Sequence, residues 1–257
     1  MECHEFLAQL HTILAPKNYL EIGICAGESL ALSKVPSIGV DPDFKITYEL
    51  EGDIQLVRAT SDAFFTRPQP LAHLDNQPLD FAFIDGLHHA EFALRDFINV
   101  EALSHPFSVI VLDDMLPRDV DEAARQCHTY YWAGDVFKAI DVLRTMRPDL
   151  VVLEVDTEIT GVVVVLLPDP TNPLLSVSYP QLEPLITKAD PQVVPPRVLD
   201  RRDALDPHRL LAADFWQTLV AGREDTDRVG GLERYRSAVA ATDFTALRSR
   251  ALITGRA

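Results

Sequence analysis

Acidic side chains recur at the ends of five short apolar runs in the first half of the chain. They are Glu21 in "YLEIG", Asp41 in "IGVDPD", Asp62 in "ATSDAFF", Asp85 in "FAFIDG" and the pair Asp113 and Asp114 in "VIVLDD". Carboxylates can attract a cation, accept hydrogen bonds from hydroxyl groups or coordinate a hard metal ion. If the fold gathers these runs at one edge, their acids could together surround a cationic or hydroxyl-rich ligand.

Two histidines follow Asp85 within four residues, in "IDGLHHAEF". An imidazole with an ordinary pKa near 6.5 is suited to take a proton from a hydroxyl group. His88 is our candidate for that base. The alternative is that His88 caps the helix that follows and that His89 is exposed to solvent.

The apolar runs indicate strands of a parallel sheet. Runs at 18–23, 37–43, 54–60, 79–86 and 107–114 are rich in Ile, Val, Leu and Phe, as buried parallel strands are. Helical patterns separate several of them, at 27–34, 61–67 and 89–104, and an amphipathic helix is predicted at 5–14. This alternation favours a parallel sheet covered on both faces, which binds ligands at the carboxyl ends of its strands.

The pattern changes after residue 133. A helix over 133–148 is followed by two strands, 149–156 and 160–168, that are close enough to form a hairpin. We therefore predict an α/β, Rossmann-like, doubly wound sheet of seven mostly parallel strands, with the last strand antiparallel, and a C-terminal helical extension.

Three segments follow from this organisation: a core domain over 1–168, a connector over 169–205 and a helical extension over 206–257. Nine of the 18 prolines fall between Pro168 and Pro207, so the connector is predicted to be extended rather than helical.

The first strand leads into Gly23 and Gly27, which remove side chains where the backbone could approach a ligand. Asp41 follows Gly23 by 18 residues, where a carboxylate can bind ribose hydroxyls. The spacing of the two glycines departs from G-x-G-x-x-G and disfavours a dinucleotide. The motif alone is also compatible with an ordinary turn between packed elements.

With these motifs the chain resembles class I S-adenosylmethionine-dependent methyltransferases. It is most similar to methyltransferase family 24, with kinship to metal-dependent O-methyltransferases of natural-product sugars and catechols. The resemblance covers roughly residues 5–168 and is carried by "YLEIGICAGESL", "IGVDPD", "ATSDAFF", "FAFIDGLHHAEFALRDFINVEALSHPFSVIVLDDMLP" and "WAGDVFK". It implies an enzyme that binds S-adenosyl-L-methionine at the carboxyl edge of the sheet.

The resemblance also implies a role for each matching residue. Glu21 and Gly23 would hold the methionine part of the cofactor, and Asp41 would bind the ribose hydroxyls. Ser61 and Asp62 would contact the adenine ring, and Asp85 would face the sulfonium beside the substrate. In the metal-dependent relatives three oxygen ligands hold Mg²⁺, and the matching positions here are Asp85, Asp113 and Asp114.

The magnesium site has an alternative. Many family-24 members carry His-Asp where this chain has Asp113-Asp114, and those proteins are not expected to bind a metal. Asp113 would then cap a turn, and Asp114 would be solvated.

Composition excludes several other functions. The formal charge of −16 repels phosphate backbones and anionic membranes, so no nucleic-acid role is expected. Cys3, Cys25 and Cys127 are far apart, which argues against a zinc cage or a disulfide framework. No signal peptide or apolar run of about 20 residues is apparent, so a cytoplasmic protein is expected.

The sequence thus predicts an S-adenosylmethionine-dependent O-methyltransferase that acts on a small-molecule acceptor, a sugar or phenol of secondary metabolism, with Mg²⁺ as a candidate assistant. His88 and Asp85 are the predicted catalytic residues, and the apolar C-terminal helices would allow a homodimer. Two alternatives remain: a methyltransferase-fold binding protein without activity, and, less favoured, a nucleotide-dependent oxidoreductase.

Overall fold

The chain folds around one seven-stranded sheet with the order β3-β2-β1-β4-β5-β7-β6. The structure is a computed structural model and describes residues 1–249. Its strands are β1 (Tyr19–Ile22), β2 (Ser37–Val40), β3 (Ile54–Val57), β4 (Leu79–Ile84), β5 (Ser104–Leu112), β6 (Val151–Val155) and β7 (Val162–Leu166). Strand β7 is antiparallel to β5 and β6, and the other neighbouring strands are parallel, so the predicted fold class is confirmed.

Nine helices of the described residues connect or cover these strands. They are α1 (Cys3–Leu14), α2 (Ser61–Phe65), α3 (Ala90–Ala102), α4 (Lys138–Met146), α5 (Leu174–Ile186), α6 (Pro196–Leu199), α7 (Pro207–Leu211), α8 (Phe215–Glu224) and α9 (Arg228–Ala241). In residues 1–249 no helix is both long enough and apolar enough to cross a membrane. Residues 250–257, the end of the predicted extension over 206–257, lie outside the described residues.

The sheet is buried on both faces except at the edge strand β3, because most side chains of the other strands are apolar. On one face, side chains such as Ile22 and Ile110 pack with Phe97 of α3 and Leu143 of α4. On the other face, Phe83, Val109 and Val164 pack with residues of α1 and α8, among them Phe6, Leu10 and Trp216. The core therefore has two hydrophobic layers, one on each side of the strands.

The register of the parallel strands fixes where their following residues lie. Ile22 of β1 pairs with Val40 and Ile84, and Ile84 pairs with Leu112. These four strands thus end at the same level. The residues that follow them, Gly23, Asp41, Asp85 and Asp113, share one edge of the sheet, as predicted.

The connections around β2 are less helical than the sequence pattern indicates. The helix predicted at 27–34 is reduced to a 3-10 turn at Leu30–Leu32, and no helix lies between β2 and β3. In place of a helix, residues 44–50 lie along the loop after β1, where the Lys45 and Thr47 amides donate to the carbonyls of Cys25 and Ala26. These main-chain bonds and the side chain of Ile46, which lies against Gly27, take over the packing of a crossover helix.

The prediction of an extended connector after residue 168 is wrong for α5. This helix contains Pro180 and Pro184, each of which removes a backbone hydrogen bond and is expected to cost about 3 kcal/mol in a helix interior. Packing on the core compensates, because Leu175 and Ile186 are buried and the Tyr179 hydroxyl donates to the Glu91 carbonyl at 2.8 Å. Tertiary contacts outweigh the local preference here.

Candidate active site at the carboxyl edge of the sheet

The loop after β1 requires glycine at its first position. Gly23 has φ +84°, and a Cβ atom there would lie 1.8 Å from the carbonyl oxygen of Asp85. Its amide donates to the Val40 carbonyl at 2.8 Å. Gly23 therefore lets the ends of β1, β2 and β4 come together, which places Asp85 beside the loop that the sequence predicts to bind the cofactor.

Gly27 occupies the far side of the same loop, also at positive φ, +86°. A Cβ atom there would lie 3.0 Å from the Ile46 side chain. Glycine is therefore suited to this position both by conformation and by close packing.

Asp41 stabilises this loop through its backbone. Its Oδ2 accepts hydrogen bonds from the amides of Ile24 and Cys25 at 3.0 and 2.9 Å, and its Oδ1 accepts from the Asp43 amide at 2.7 Å. The carboxylate is partly buried and reaches the edge of the sheet, as the sequence predicts. The Asp41 carboxylate is therefore hydrogen-bonded to the loop after β1 before any ligand is bound.

Glu21 lies below the loop, inside the protein. Its Oε2 accepts from the Tyr19 hydroxyl at 2.7 Å, and its Oε1 accepts from the Ser29 hydroxyl at 2.6 Å. Burial raises the pKa of Glu21 to about 8, although both hydrogen bonds oppose the rise. The carboxyl group is fully buried, so a direct contact with a ligand would require a rotation of its side chain.

Ser61 and Asp62 open helix α2, which is capped by the hydroxyl of Thr60. Asp62 forms a bidentate ion pair with Arg95 of α3, with oxygen–nitrogen distances of 2.6 and 2.7 Å. Next to them Asp96 is buried, and its Oδ1 has no hydrogen-bond partner among the described residues. Burial raises the pKa of Asp96 to about 7, with the Ser61 hydroxyl opposing the rise.

Asp85, His88 and Asp114 form a compact cluster where β4 and β5 end. The Nε2 atom of His88 lies 3.2 Å from Oδ1 of Asp85 and 3.2 Å from Oδ2 of Asp114. One ligand atom from each of the three residues lies within 4.8 Å of the others, a spacing that can hold a metal ion. All three side chains are partly buried.

The imidazole of His88 is oriented by Trp132, which lies in the loop after β5. Its Nδ1 donates to the Trp132 carbonyl at 2.8 Å, and its ring stacks on the indole with centroids 4.8 Å apart. This contact directs Nε2 at the two carboxylates. Burial disfavours the charged ring, but the Asp85 hydrogen bond and the charges of Asp114 and Asp85 outweigh it and raise the pKa of His88 to about 10.

The two aspartates after β5 differ in environment. Asp114 has φ +61°, accepts a hydrogen bond from the Thr160 hydroxyl and faces His88. Burial raises the pKa of Asp114 to about 6, with His88 opposing the rise. Asp113 instead accepts from the Asp114 amide at 2.8 Å and from the Cys3 thiol at 3.4 Å, and burial raises its pKa.

The structure thus brings Asp85, Asp114 and His88 together but points the Asp113 side chain towards α1. His89 lies outside the cluster, where its Nε2 contacts the Arg125 carbonyl at 3.0 Å. The sequence analysis did not predict three contacts of the site: Trp132 with His88, Thr160 with Asp114, and Cys3 with Asp113. Their contacts span 44, 46 and 110 residues along the chain, and no local motif indicates them.

Residues 20–115 match the model of methyltransferase family 24, whose description is methyltransferase domain. The match confirms the resemblance on which the sequence analysis relied. No curated protein matches the chain. Residues 20–115, which contain β2 to β5 and most of β1, are thus similar to a methyltransferase domain.

Several solved structures resemble the chain at low identity. One is the S-adenosylhomocysteine-bound methyltransferase PaMTH1 of Podospora anserina, 16% identical, with a TM-score of 0.49 over 65% of this chain and 78% of that one. Another is an O-methyltransferase of Bacillus cereus, 17% identical, with a TM-score of 0.46 over 63% and 80%. A third is TomG of Streptomyces achromogenes, an O-methyltransferase involved in tomaymycin synthesis, 16% identical, with a TM-score of 0.47 over 65% and 79%.

Proposed function

We propose that the protein transfers a methyl group from S-adenosylmethionine to a hydroxyl group of a small molecule, and that the acceptor is a sugar or phenol of secondary metabolism. The observation that carries this proposal is the cluster of Asp85, His88 and Asp114 beside Gly23, at the edge where a class I methyltransferase binds its cofactor. The family match supports the same reaction class.

The residues at the edge fit the cofactor chemically. S-adenosylmethionine, when bound, supplies a methyl group on a cationic sulfonium. Carboxylates at Asp41 and Asp85 suit ribose hydroxyls and a nearby positive charge, respectively. Asp41 also fixes the loop after β1 through two amides, so the site is partly preorganised.

The cluster of Asp85, His88 and Asp114 fits a divalent cation, and we propose that such an ion is a cofactor of the reaction. Asp85, His88 and Asp114 would hold it, and the His88 ring is already oriented by a backbone carbonyl, as metal-binding histidines usually are. Such an ion would lower the pKa of a bound acceptor hydroxyl. One imidazole and two carboxylates suit Mn²⁺ or Fe²⁺ better than Mg²⁺, which prefers oxygen alone.

The role of His88 depends on this ion. Without a metal its pKa of about 10 keeps the ring protonated near pH 7, so it is an ion-pair partner of two carboxylates rather than a base. We therefore propose that His88 is a metal ligand through Nε2. The role of a general base, predicted from the sequence, would require the ring to lose its proton first.

A second candidate function is a methyltransferase-fold protein that binds ligands without catalysing transfer. This function is favoured because two residues predicted to contact the cofactor already bond other side chains of the protein. Asp62 pairs with Arg95, and Glu21 accepts hydrogen bonds from Tyr19 and Ser29. Binding without turnover is the outcome that separates this function from the first.

The proposal is tested by ligand-induced stabilisation and by turnover. S-adenosylhomocysteine should raise the melting temperature, since a ligand at a hundredfold its Kd adds about 2.7 kcal/mol of stability, and NAD⁺ should not. Radiolabelled methyl transfer to a panel of catechols and glycosides, with Mn²⁺ or after EDTA, then measures activity. Stabilisation by NAD⁺ alone would support the oxidoreductase instead.

A further inference from the structure

A cavity of about 740 Å³ lies at the opposite, amino edge of the sheet. It is lined by residues at the starts of β1, β4 and β5, among them Asn18, Pro78 and His105, and it is closed on one side by α9. This volume is within the range of about 300–1,000 Å³ that small-molecule sites occupy. The cavity is separate from the cluster at Asp85, because the two lie at opposite ends of the strands.

One wall of the cavity is a stripe along α9 made by Arg228, Leu232 and Arg236, which recur every four residues. The guanidinium carbon of Arg228 lies 6.0 Å from the ring centroid of Phe107, which also lines the cavity. Within residues 1–249 neither arginine forms an ion pair, whereas most other arginines of the described chain do. Two available cations thus flank an apolar surface.

The other cations of the cavity are already bonded within the protein. Lys17 pairs with Glu224 at 2.7 Å. Arg223 is almost fully buried and pairs with Asp80 at 3.2 Å, and His105 contacts the other oxygen of Asp80 at 2.8 Å. These contacts use the charge of Asp80, which leaves the two arginines of α9 as the cationic groups that a ligand can reach.

The remaining charges limit the ligand. His73 pairs with Asp53 near the start of β3, at the far end of the cavity from Phe107. Asp75 and Glu233 also line the cavity, and neither forms an ion pair within the described residues. Two carboxylates would repel a polyanion, so the lining favours a ligand with one anionic group and an apolar body.

The wall formed by α8 and α9 is rigidly attached to the core. A Cβ atom at Gly222 would lie 2.6 Å from the Phe107 ring and 3.0 Å from the Gly231 carbonyl oxygen, so the two helices and the ring are in close contact. Arg223 also donates to the carbonyls of Leu14 and Ala15 at 2.8 and 2.9 Å. The cavity is therefore preformed, which reduces the ordering cost of binding.

We propose that this cavity is a binding site for a small organic acid whose carboxylate or phosphate is held by Arg228 and Arg236 and whose apolar body lies on Phe107 and Leu232. The site does not depend on the function proposed for the carboxyl edge, since no residue is shared between the two.

Isothermal titration of the full chain tests the proposal with four probes that share a benzene ring. Benzoate and phenyl phosphate carry the two candidate anions, benzyl alcohol is neutral and benzylamine is cationic. At least one acid should bind in the millimolar range or tighter, and at least about tenfold more tightly than the alcohol and the amine, since hydrogen bonds to charged groups are worth about a factor of ten or more. The better acid identifies the preferred group.

Charge-matched variants locate the binding. Arg228→Gln and Arg236→Gln should each weaken binding of the better acid about tenfold. Arg234→Gln is the control, because it makes the same charge change on α9 but pairs with Asp225 outside the cavity. Affinity for S-adenosylhomocysteine should stay the same in all three variants.

Three results would overturn the proposal: no binding by either acid, tighter binding of benzylamine, or equal loss of affinity in Arg234→Gln. Failure of S-adenosylhomocysteine to bind the wild-type chain would instead contradict the function proposed for the carboxyl edge.

Discussion

Trp132 holds His88 in two ways at once: its indole stacks on the imidazole with an interplanar angle of 22°, and its carbonyl oxygen accepts from Nδ1 at 2.8 Å. The stacking fixes the ring plane, and the hydrogen bond fixes the rotation within that plane. The orientation of Nε2 towards Asp85 and Asp114 is therefore set before any ligand binds.

His88→Ala should reduce Mn²⁺ affinity at least about tenfold, because one of three proposed ligands is removed. Its affinity for S-adenosylhomocysteine should change little. His89→Ala is the matched control, since its ring contacts the Arg125 carbonyl and not the cluster. Titration calorimetry with Mn²⁺ measures both variants, and equal affinities in the two would remove His88 from the metal site.

Asp113→Asn and Asp114→Asn separate the two possible ligand sets. Asp114 faces His88, whereas Asp113 is bonded to the Cys3 thiol and the Asp114 amide. Mn²⁺ affinity should fall at least about tenfold in Asp114→Asn and much less in Asp113→Asn. The reverse order would favour the set of Asp85, Asp113 and Asp114 that the sequence resemblance implies.

Asp41→Ala should weaken binding of S-adenosylhomocysteine by about tenfold or more. The substitution removes the carboxylate proposed to bind the ribose and also frees the amides of Ile24 and Cys25. Asp43→Ala serves as the control, because the Asp43 side chain is fully exposed two residues further along. If both variants bind the ligand as the wild type does, Asp41 has no part in the cofactor site.

Asp135→Ala should lower the free energy of unfolding by about 3 kcal/mol, because the partly buried Lys138 loses its carboxylate partner and Arg125 keeps only Glu91. Asp135 is fully buried, pairs with Arg125 and Lys138 at 2.8 and 2.6 Å, and accepts from the first amide of α3, that of Ala90. Urea unfolding measures the change. The exposed Asp121→Ala should shift stability by no more than about 0.5 kcal/mol, and a comparable loss in both variants would contradict the assignment.

Stability should fall as the pH rises from about 4 to about 7, in part because of Asp96. Its pKa is raised to about 7 in the folded chain, so the folded state holds a proton that the unfolded state has released across this window. The contribution is at most about 4 kcal/mol, at about 1.4 kcal/mol for each pKa unit. Asp96→Asn should therefore stabilise the protein at pH 8 much more than at pH 4.

Urea unfolding of the wild type and Asp96→Asn at both pH values measures this difference. Asp119→Asn, an exposed substitution of the same kind, provides the reference. A stabilisation by Asp96→Asn that does not depend on pH would show that Asp96 does not titrate between these pH values.

The sheet and its chemical edge could be predicted from the sequence because both depend on local pattern. Apolar runs such as Leu79–Ile84 define strands, and parallel register then aligns Gly23, Asp41 and Asp85 without further information. The helix over Leu174–Ile186 could not be predicted, because its prolines oppose a helix and its packing on α3 and α4 stabilises it.

The directions of the Asp113 and Asp114 side chains could not be predicted from the sequence either. Asp113 and Asp114 are chemically identical neighbours, and their different roles follow from the positive φ of Asp114 and from contacts with Cys3 and Thr160. These contacts come from distant parts of the chain. Side-chain direction at a strand end is thus decided by tertiary structure rather than by residue type.

Arg223 and Leu14 are separated by 209 residues along the chain, yet the guanidinium of Arg223 donates to the Leu14 carbonyl near the end of α1. During synthesis, the end of the first helix cannot obtain this partner until the ribosome has made α8. The layer that covers one face of the sheet is therefore completed late, and a nascent chain stopped before Arg223 should expose Phe107 and its neighbours to chaperones.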